Sequence, residues 1–65
     1  MITVNGTTHS FVEEQTLEDL LCKLKVANQI CAIEVNKVLI PHKERSEYEI
    51  QEEDNIEIVS LVGGG

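Results

Sequence analysis

The sequence predicts a two-layer α+β domain, a single helix laid across a mixed sheet of four to five strands in the order ββαβββ. Three observations lead there: an Asn5-Gly6 pair between two short strand-like segments, a leucine stripe with helical spacing after Thr16, and a late alternating segment ending in glycines. Sixty-five residues allow one domain. A core of this size contributes only about 3–5 kcal/mol of net stability, so local signals must agree with the fold.

Ile2-Thr3-Val4 alternates apolar and polar residues, as a strand with one buried face does. Asn5-Gly6 suits a type I′ turn because both residues tolerate positive φ. The return, Thr7 to Val12, is rich in β-branched residues and carries Phe11, completing a hairpin. Thr16 stands as a helix N-cap, with Glu18 and Asp19 in the first turn, where negative charge favours the helix dipole. Leu17, Leu20, Leu21 and Leu24 fall on one helical face. Lys23 and Lys25 lie near the far end and Asn28 is the stop, giving a helix of about ten residues that needs a sheet beneath it to persist.

Cys31, Ile33 and Val35 alternate with Ala32 and Glu34 in a third strand. Asn36-Lys37 turns the chain, and Val38 to Ile40 returns before Pro41 ends the ladder. Residues 42–47 read as a polar connection, with Tyr48 and Ile50 anchoring it to the core. Gln51 to Asn55 forms an acidic turn, and Ile56-Glu57-Ile58 opens a last strand running to Leu61. The folded domain is expected over residues 1–61, with 62–65 as a flexible tail. The leucine stripe covers one sheet face and leaves the other partly open to partners.

Composition narrows function. Apolar residues make up 42% of the chain, yet Phe11 and Tyr48 are its only aromatics, so aliphatic side chains must close the core and leave no room for a deep substrate cavity. That counts against a self-contained enzyme. Twelve acidic residues against five basic ones give a formal charge of −7, which argues against nucleic acid and anionic membranes as partners. The acidity serves solubility or steers a basic protein partner. No apolar run approaches a membrane span, and the first apolar window lacks the positive leader of a signal peptide, so the cytoplasm is the expected compartment.

Cys22 and Cys31 form no metal-ligand spacing and read as small core residues. His9 and His42 have no patterned nucleophile or acid beside them and read as surface histidines. Glu52-Glu53-Asp54 reads as a solvated acidic turn rather than a metal site. No catalytic residue, bound cofactor or metal is expected.

The end of the chain, Leu61-Val62-Gly63-Gly64-Gly65, is the informative feature. Three glycines have nothing to pack and retain the largest backbone freedom of any residue. Extended, they reach about 10 Å past the domain, enough to bring a main-chain carboxylate into another protein's tunnel. Any Cβ would widen the thread. Gly63 and Gly64 would thread a partner's active site, Gly65 would carry the reacting carboxylate, and Leu61 and Val62 would share strand-ending and docking roles. A carboxylate becomes an acyl donor as an acyl-adenylate, which a sulfur nucleophile converts to a thiocarboxylate. The partner would supply the ATP site, the metal and any catalytic thiol.

The segments Ile2-Thr3-Val4-Asn5-Gly6, Thr16-Leu17-Glu18-Asp19-Leu20-Leu21, Ala32-Ile33-Glu34-Val35-Asn36, Arg45-Ser46-Glu47-Tyr48 and Asp54-Asn55-Ile56-Glu57-Ile58-Val59, leading to Val62-Gly63-Gly64-Gly65, together resemble the ThiS family of sulfur carrier proteins of thiamine biosynthesis. The resemblance spans the whole chain. It implies the ubiquitin-like β-grasp fold, adenylation of Gly65 by a ThiF-like enzyme using ATP, sulfur from a donor protein, and delivery to a ThiG-like thiazole synthase. Two departures stand out: Glu53 precedes Asp54 where the family has Gly-Asp, and Pro41 to Arg45 is longer than the usual Pro-Arg-Ser. Competing readings are a MoaD-like small subunit of molybdopterin synthase, a ubiquitin-like modifier linked to target lysines, and a β-grasp interaction module with an inert tail.

Overall fold

The computed structural model describes residues 1–25 and 31–60. Strands β1 (Ile2–Val4) and β2 (Thr7–His9) form the first hairpin, α1 (Leu17–Lys23) follows, β3 (Cys31–Val35) and β4 (Val38–Leu39) form a second hairpin, and β5 (Asn55–Ser60) comes last. The sheet order is β2-β1-β5-β3-β4. β5 lies between β1, to which it is parallel, and β3, to which it is antiparallel. The last strand of the chain is therefore the central strand of the sheet. This is the ββαβββ arrangement expected from the sequence.

Both hairpins turn through asparagines in left-handed backbone. Asn5 (φ 50°) and Gly6 (φ 83°) pair Val4 with Thr7, and Asn36 (φ 53°) and Lys37 (φ 70°) pair Val35 with Val38. Positive φ at both central residues is the type I′ geometry, whose twist matches that of the flanking strands. The first return stops sooner than Val12: β2 ends at His9, and Phe11 packs against the core from outside the strand.

Helix α1 begins as expected and ends early. Thr16 Oγ1 accepts from the Asp19 N–H at 3.1 Å while Asp19 Oδ2 accepts from the Thr16 N–H at 3.1 Å, a capping box closed by aspartate. The remaining free N–H groups of the first turn find loop carbonyls: Leu17 donates to Tyr48 O and Glu18 to Arg45 O. Every donor that a helix start orphans is thus satisfied. Seven residues are helical, because Lys25 turns left-handed (φ 63°) and its N–H donates to Cys22 O. The expected stop at Asn28 lies outside the described residues.

The core is aliphatic: Ile2, Val4, Ile33, Val35 and Ile56 from the sheet, Leu17, Leu20 and Leu21 from α1, and Ile40 and Ile50 from the connections. Cys31 joins them; Cys22 does not and is exposed. Successive helical residues step by about 100°, so the position after Leu21 rotates away from the Leu17–Leu20–Leu21 face. Leucine-rich surroundings in the sequence did not make Cys22 a core residue.

The turn before β5 also departs from expectation. Glu52 and Glu53 are exposed, but Asp54 is only 5% exposed. Its carboxylate accepts from Gln51 N–H (2.8 Å), Asn36 Nδ2 (3.0 Å) and, more loosely, Tyr48 OH (3.4 Å). Burying a carboxylate is tolerated when its oxygens are so occupied. Glu53 holds the left-handed conformation (φ 71°) at the position where the ThiS pattern has glycine.

Tyr48 records this site. Its hydroxyl is held above the ordinary tyrosine pKa, first by burial and then by the charge and hydrogen bond of Asp54, both of which disfavour tyrosinate. A folded-state value raised above the unfolded one gives stability that is fully present below about pH 10 and is lost as pH climbs through the raised value. Tyr48 is the sole tyrosine and the chain has no tryptophan, so its ultraviolet absorbance reports on it alone. The native protein is expected to form tyrosinate at higher pH than the urea-unfolded chain, and Asp54→Asn to narrow that gap. Identical midpoints in native and unfolded protein would contradict this arrangement.

Candidate functional site

The candidate transfer residues Gly63, Gly64 and Gly65, and the docking residues Leu61 and Val62, lie outside the described residues. What the structure places is the root from which they continue, strand β5, together with the sheet face around it.

β5 is held along both edges. Toward β3 the register pairs Ile56 with Val35, Glu57 with Glu34, Ile58 with Ile33, Val59 with Ala32 and Ser60 with Cys31. Toward β1 it pairs Asn55 with Thr3 and Ile56 with Val4. Two asparagine side chains extend this grip. Asn36 Oδ1 accepts from the Asn55 N–H at 3.0 Å at the start of the strand. Farther along, Asn5 Oδ1 accepts from the Ile58 N–H at 2.8 Å and Asn5 Nδ2 donates to the Ile58 carbonyl at 3.2 Å. Each asparagine is the first residue of a left-handed turn pair, so the turns that shape the two hairpins also clamp the central strand.

The core alternation puts Thr3, Asn55, Glu34, Glu57, Ala32 and Val59 on the face away from α1, with Leu39 opposite Glu34. Leu39 is 61% exposed and Val59 57% exposed. Glu34 and Glu57 are direct cross-strand partners, and like charges so placed repel. Apolar side chains flanking paired carboxylates make a face suited to a partner surface bearing Lys or Arg. This is the open face expected from the helix's one-sided coverage.

The loop under the start of α1 contains a residue read from sequence only as part of a polar connection. Arg45 is 6% exposed, donates from Nη2 to the Cys31 carbonyl at 2.7 Å, and offers its own carbonyl to Glu18. The 3₁₀ turn His42–Glu44 takes up the longer Pro41–Arg45 segment and sets Arg45 inward. Arg45 thereby ties this loop to both β3 and α1. Beside it, Lys43, Glu44, Glu47 and Tyr48 bound an open groove of about 500 Å³. His42 is exposed and His9 half-buried opposite Ile2. Among the described residues no three His, Cys, Asp or Glu side chains converge as a metal ligand set, and no helix is long and apolar enough to cross a membrane.

Known proteins share this arrangement. The crystal structure of the thiamine biosynthesis protein ThiS from Geobacter metallireducens superimposes with a TM-score of 0.79 at 28% identity, covering 98% of this chain and 97% of that one. The sulfur carrier protein ThiS of Bacillus subtilis is 36% identical over 66 residues and the alignment covers both chains completely. A thiazole synthase of Magnetococcus marinus is 38% identical over 64 residues, which are 98% of this chain and 20% of that protein. The chain spans about a fifth of the length of the thiazole synthases it matches. The sequence profile described as the ThiS family matches residues 2–65, from the first strand through the terminal glycines. With fold, length and full-chain similarity in agreement, this β-grasp protein belongs to the ThiS family.

Proposed function

We propose that the chain is a sulfur carrier protein of thiamine biosynthesis, loaded at the carboxylate of Gly65 and acting as a cosubstrate rather than a catalyst. The observation that carries this is the reach of the ThiS profile to residue 65, so that the glycine tail belongs to the matched region. A carboxylate oxygen of Gly65 attacks the α-phosphorus of ATP and pyrophosphate leaves. Sulfide delivered by a donor protein then attacks the acyl carbon and AMP leaves, giving the thiocarboxylate with loss of a proton. Transfer of that sulfur to the thiazole precursor, with oxygen returned to the acyl carbon, regenerates the glycine carboxylate.

The activating partner is a ThiF-like enzyme that supplies the ATP site, and the acceptor is a ThiG-like thiazole synthase. The second assignment is supported by the two thiazole synthases that carry a segment similar to this chain, since a carrier and its acceptor within one polypeptide work on one another at high effective concentration. The open face with Leu39, Val59, Glu34 and Glu57 is the docking surface. The setting is the cytoplasm, where the free thiols of Cys22 and Cys31 stay reduced.

Incubation with a ThiF-like enzyme, ATP, magnesium and sulfide is expected to raise the intact mass by one oxygen-to-sulfur exchange. Adducts carrying target lysines would mark a modifier instead. An unchanged mass, with partner binding that survives loss of Gly64 and Gly65, would mark an interaction module. Sulfur loading followed by transfer to molybdopterin rather than thiazole would mark a MoaD-like subunit.

A further inference from the structure

We propose that Asn5 is a positioning residue for sulfur loading, holding the root of the tail through its side-chain grip on Ile58. The proposal rests on the reading of Gly65 as the loaded group. β1 pairs with β5 only as far as Val4 opposite Ile56, then turns away at Asn5-Gly6, while β5 continues to Ser60. Beyond a last ladder pair, strand ends fray and their backbone groups turn to water. Here the Asn5 amide stands where the next β1 residue would have been. It presents one acceptor and one donor, as a backbone unit does, and spends both on Ile58.

The Asn5 N–H separately donates to the Ile56 carbonyl at 2.9 Å. Without the side chain, the last hold from the β1 side retreats from Ile58 to Ile56. From Ile58 to Ser60 the strand is then held by β3 alone, with its β1 edge open to water, so the root of the arm is aimed less narrowly and a docked carrier presents its carboxylate in the partner's site for a smaller share of the time. Docking itself, made through the sheet face, is unaffected. The consequence is a lower kcat at unchanged KM.

Asn36 provides an internal comparison. It occupies the same turn position (φ 53° against 50° at Asn5) and also hydrogen-bonds β5 through its side chain, but at Asn55, the end away from the tail. Asn5→Gly and Asn36→Gly both keep left-handed turn geometry, since glycine adopts it without strain. Each removes side-chain hydrogen bonds to or beside β5, so a general loss of stability would affect both variants.

The experiment measures thiocarboxylate formation against carrier concentration, with a ThiF-like enzyme, ATP and sulfide, at a temperature where circular dichroism shows all three proteins folded. Asn5→Gly is expected to lower kcat about threefold to tenfold, with KM within about twofold of wild type, the size of a lost hydrogen bond at a positioned group. Asn36→Gly is expected to match wild type in kcat. Amide hydrogen exchange provides a readout apart from turnover: protection of the Ile58 N–H is expected to fall in Asn5→Gly and to persist in Asn36→Gly. Equal kcat in Asn5→Gly and wild type, a change in KM alone, an equal kcat loss in Asn36→Gly, or undiminished Ile58 protection in Asn5→Gly would each overturn the proposal. If wild type is not loaded at all, the reading of Gly65 fails and takes this proposal with it.

Discussion

Removing Gly64 and Gly65 is expected to abolish sulfur loading while leaving the fold intact. The described ladder of β5 runs to Ser60, paired with Cys31, and among the described residues no fully buried core side chain lies beyond Ile56. The shortened chain still ends in a carboxylate, but one too short to reach the adenylation site, by roughly 7 Å of extended chain. Loading should drop to background. Tm should stay within about 3 °C of wild type, since glycines have no side chain to bury. A collapse of Tm on deletion would make the tail a structural element and remove the basis for treating it as a free arm.

The second large effect belongs to the body that presents the arm. Ile56 is fully buried at the centre of the sheet, paired with Val4 on one side and Val35 on the other. Ile56→Ala removes buried methylene groups where strands on both sides resist collapse, a loss of about 2–5 kcal/mol. The whole net stability of a domain this small is about 3–5 kcal/mol. The variant is therefore expected to be largely unfolded by urea-free circular dichroism at 37 °C. Val59→Ala, three residues along the same strand but on the open face, is expected to change stability by less than about 0.5 kcal/mol. Comparable losses from both would mean that the two faces of β5 are not distinguished as the alternation of burial indicates.

The elements legible in the sequence are those whose causes are local. Asn5-Gly6 announces its own turn, Thr16 and Asp19 close a cap three residues apart, and the leucine stripe needs only the helical period. Central placement of β5 follows less directly, because a strand buried on one face reads the same at an edge as in the middle. The clamps were not legible at all. Asn5 grips Ile58 across 53 positions, Asn36 reaches Asp54 across 18, and Arg45 reaches Cys31 across 14. Nothing in a turn-forming asparagine or a loop arginine tells which distant group it will meet. Asp54 looked solvated because its neighbours Glu52 and Glu53 are, yet one residue's step turned its oxygens inward. Cys22 was misplaced by composition, where rotation about the helix axis decides. For the candidate transfer site the position is reversed: the glycine tail is plain in the sequence, and the structure contributes the strand that leads to it.

The account turns on which atom of this chain receives sulfur. After incubation of the full chain with a ThiF-like enzyme, ATP and sulfide, mass spectrometry of the C-terminal fragment measures that directly. The expected product has one oxygen of Gly65 replaced by sulfur, with Cys22 and Cys31 unmodified. A fragment that still ends in an ordinary carboxylate after that incubation would contradict it.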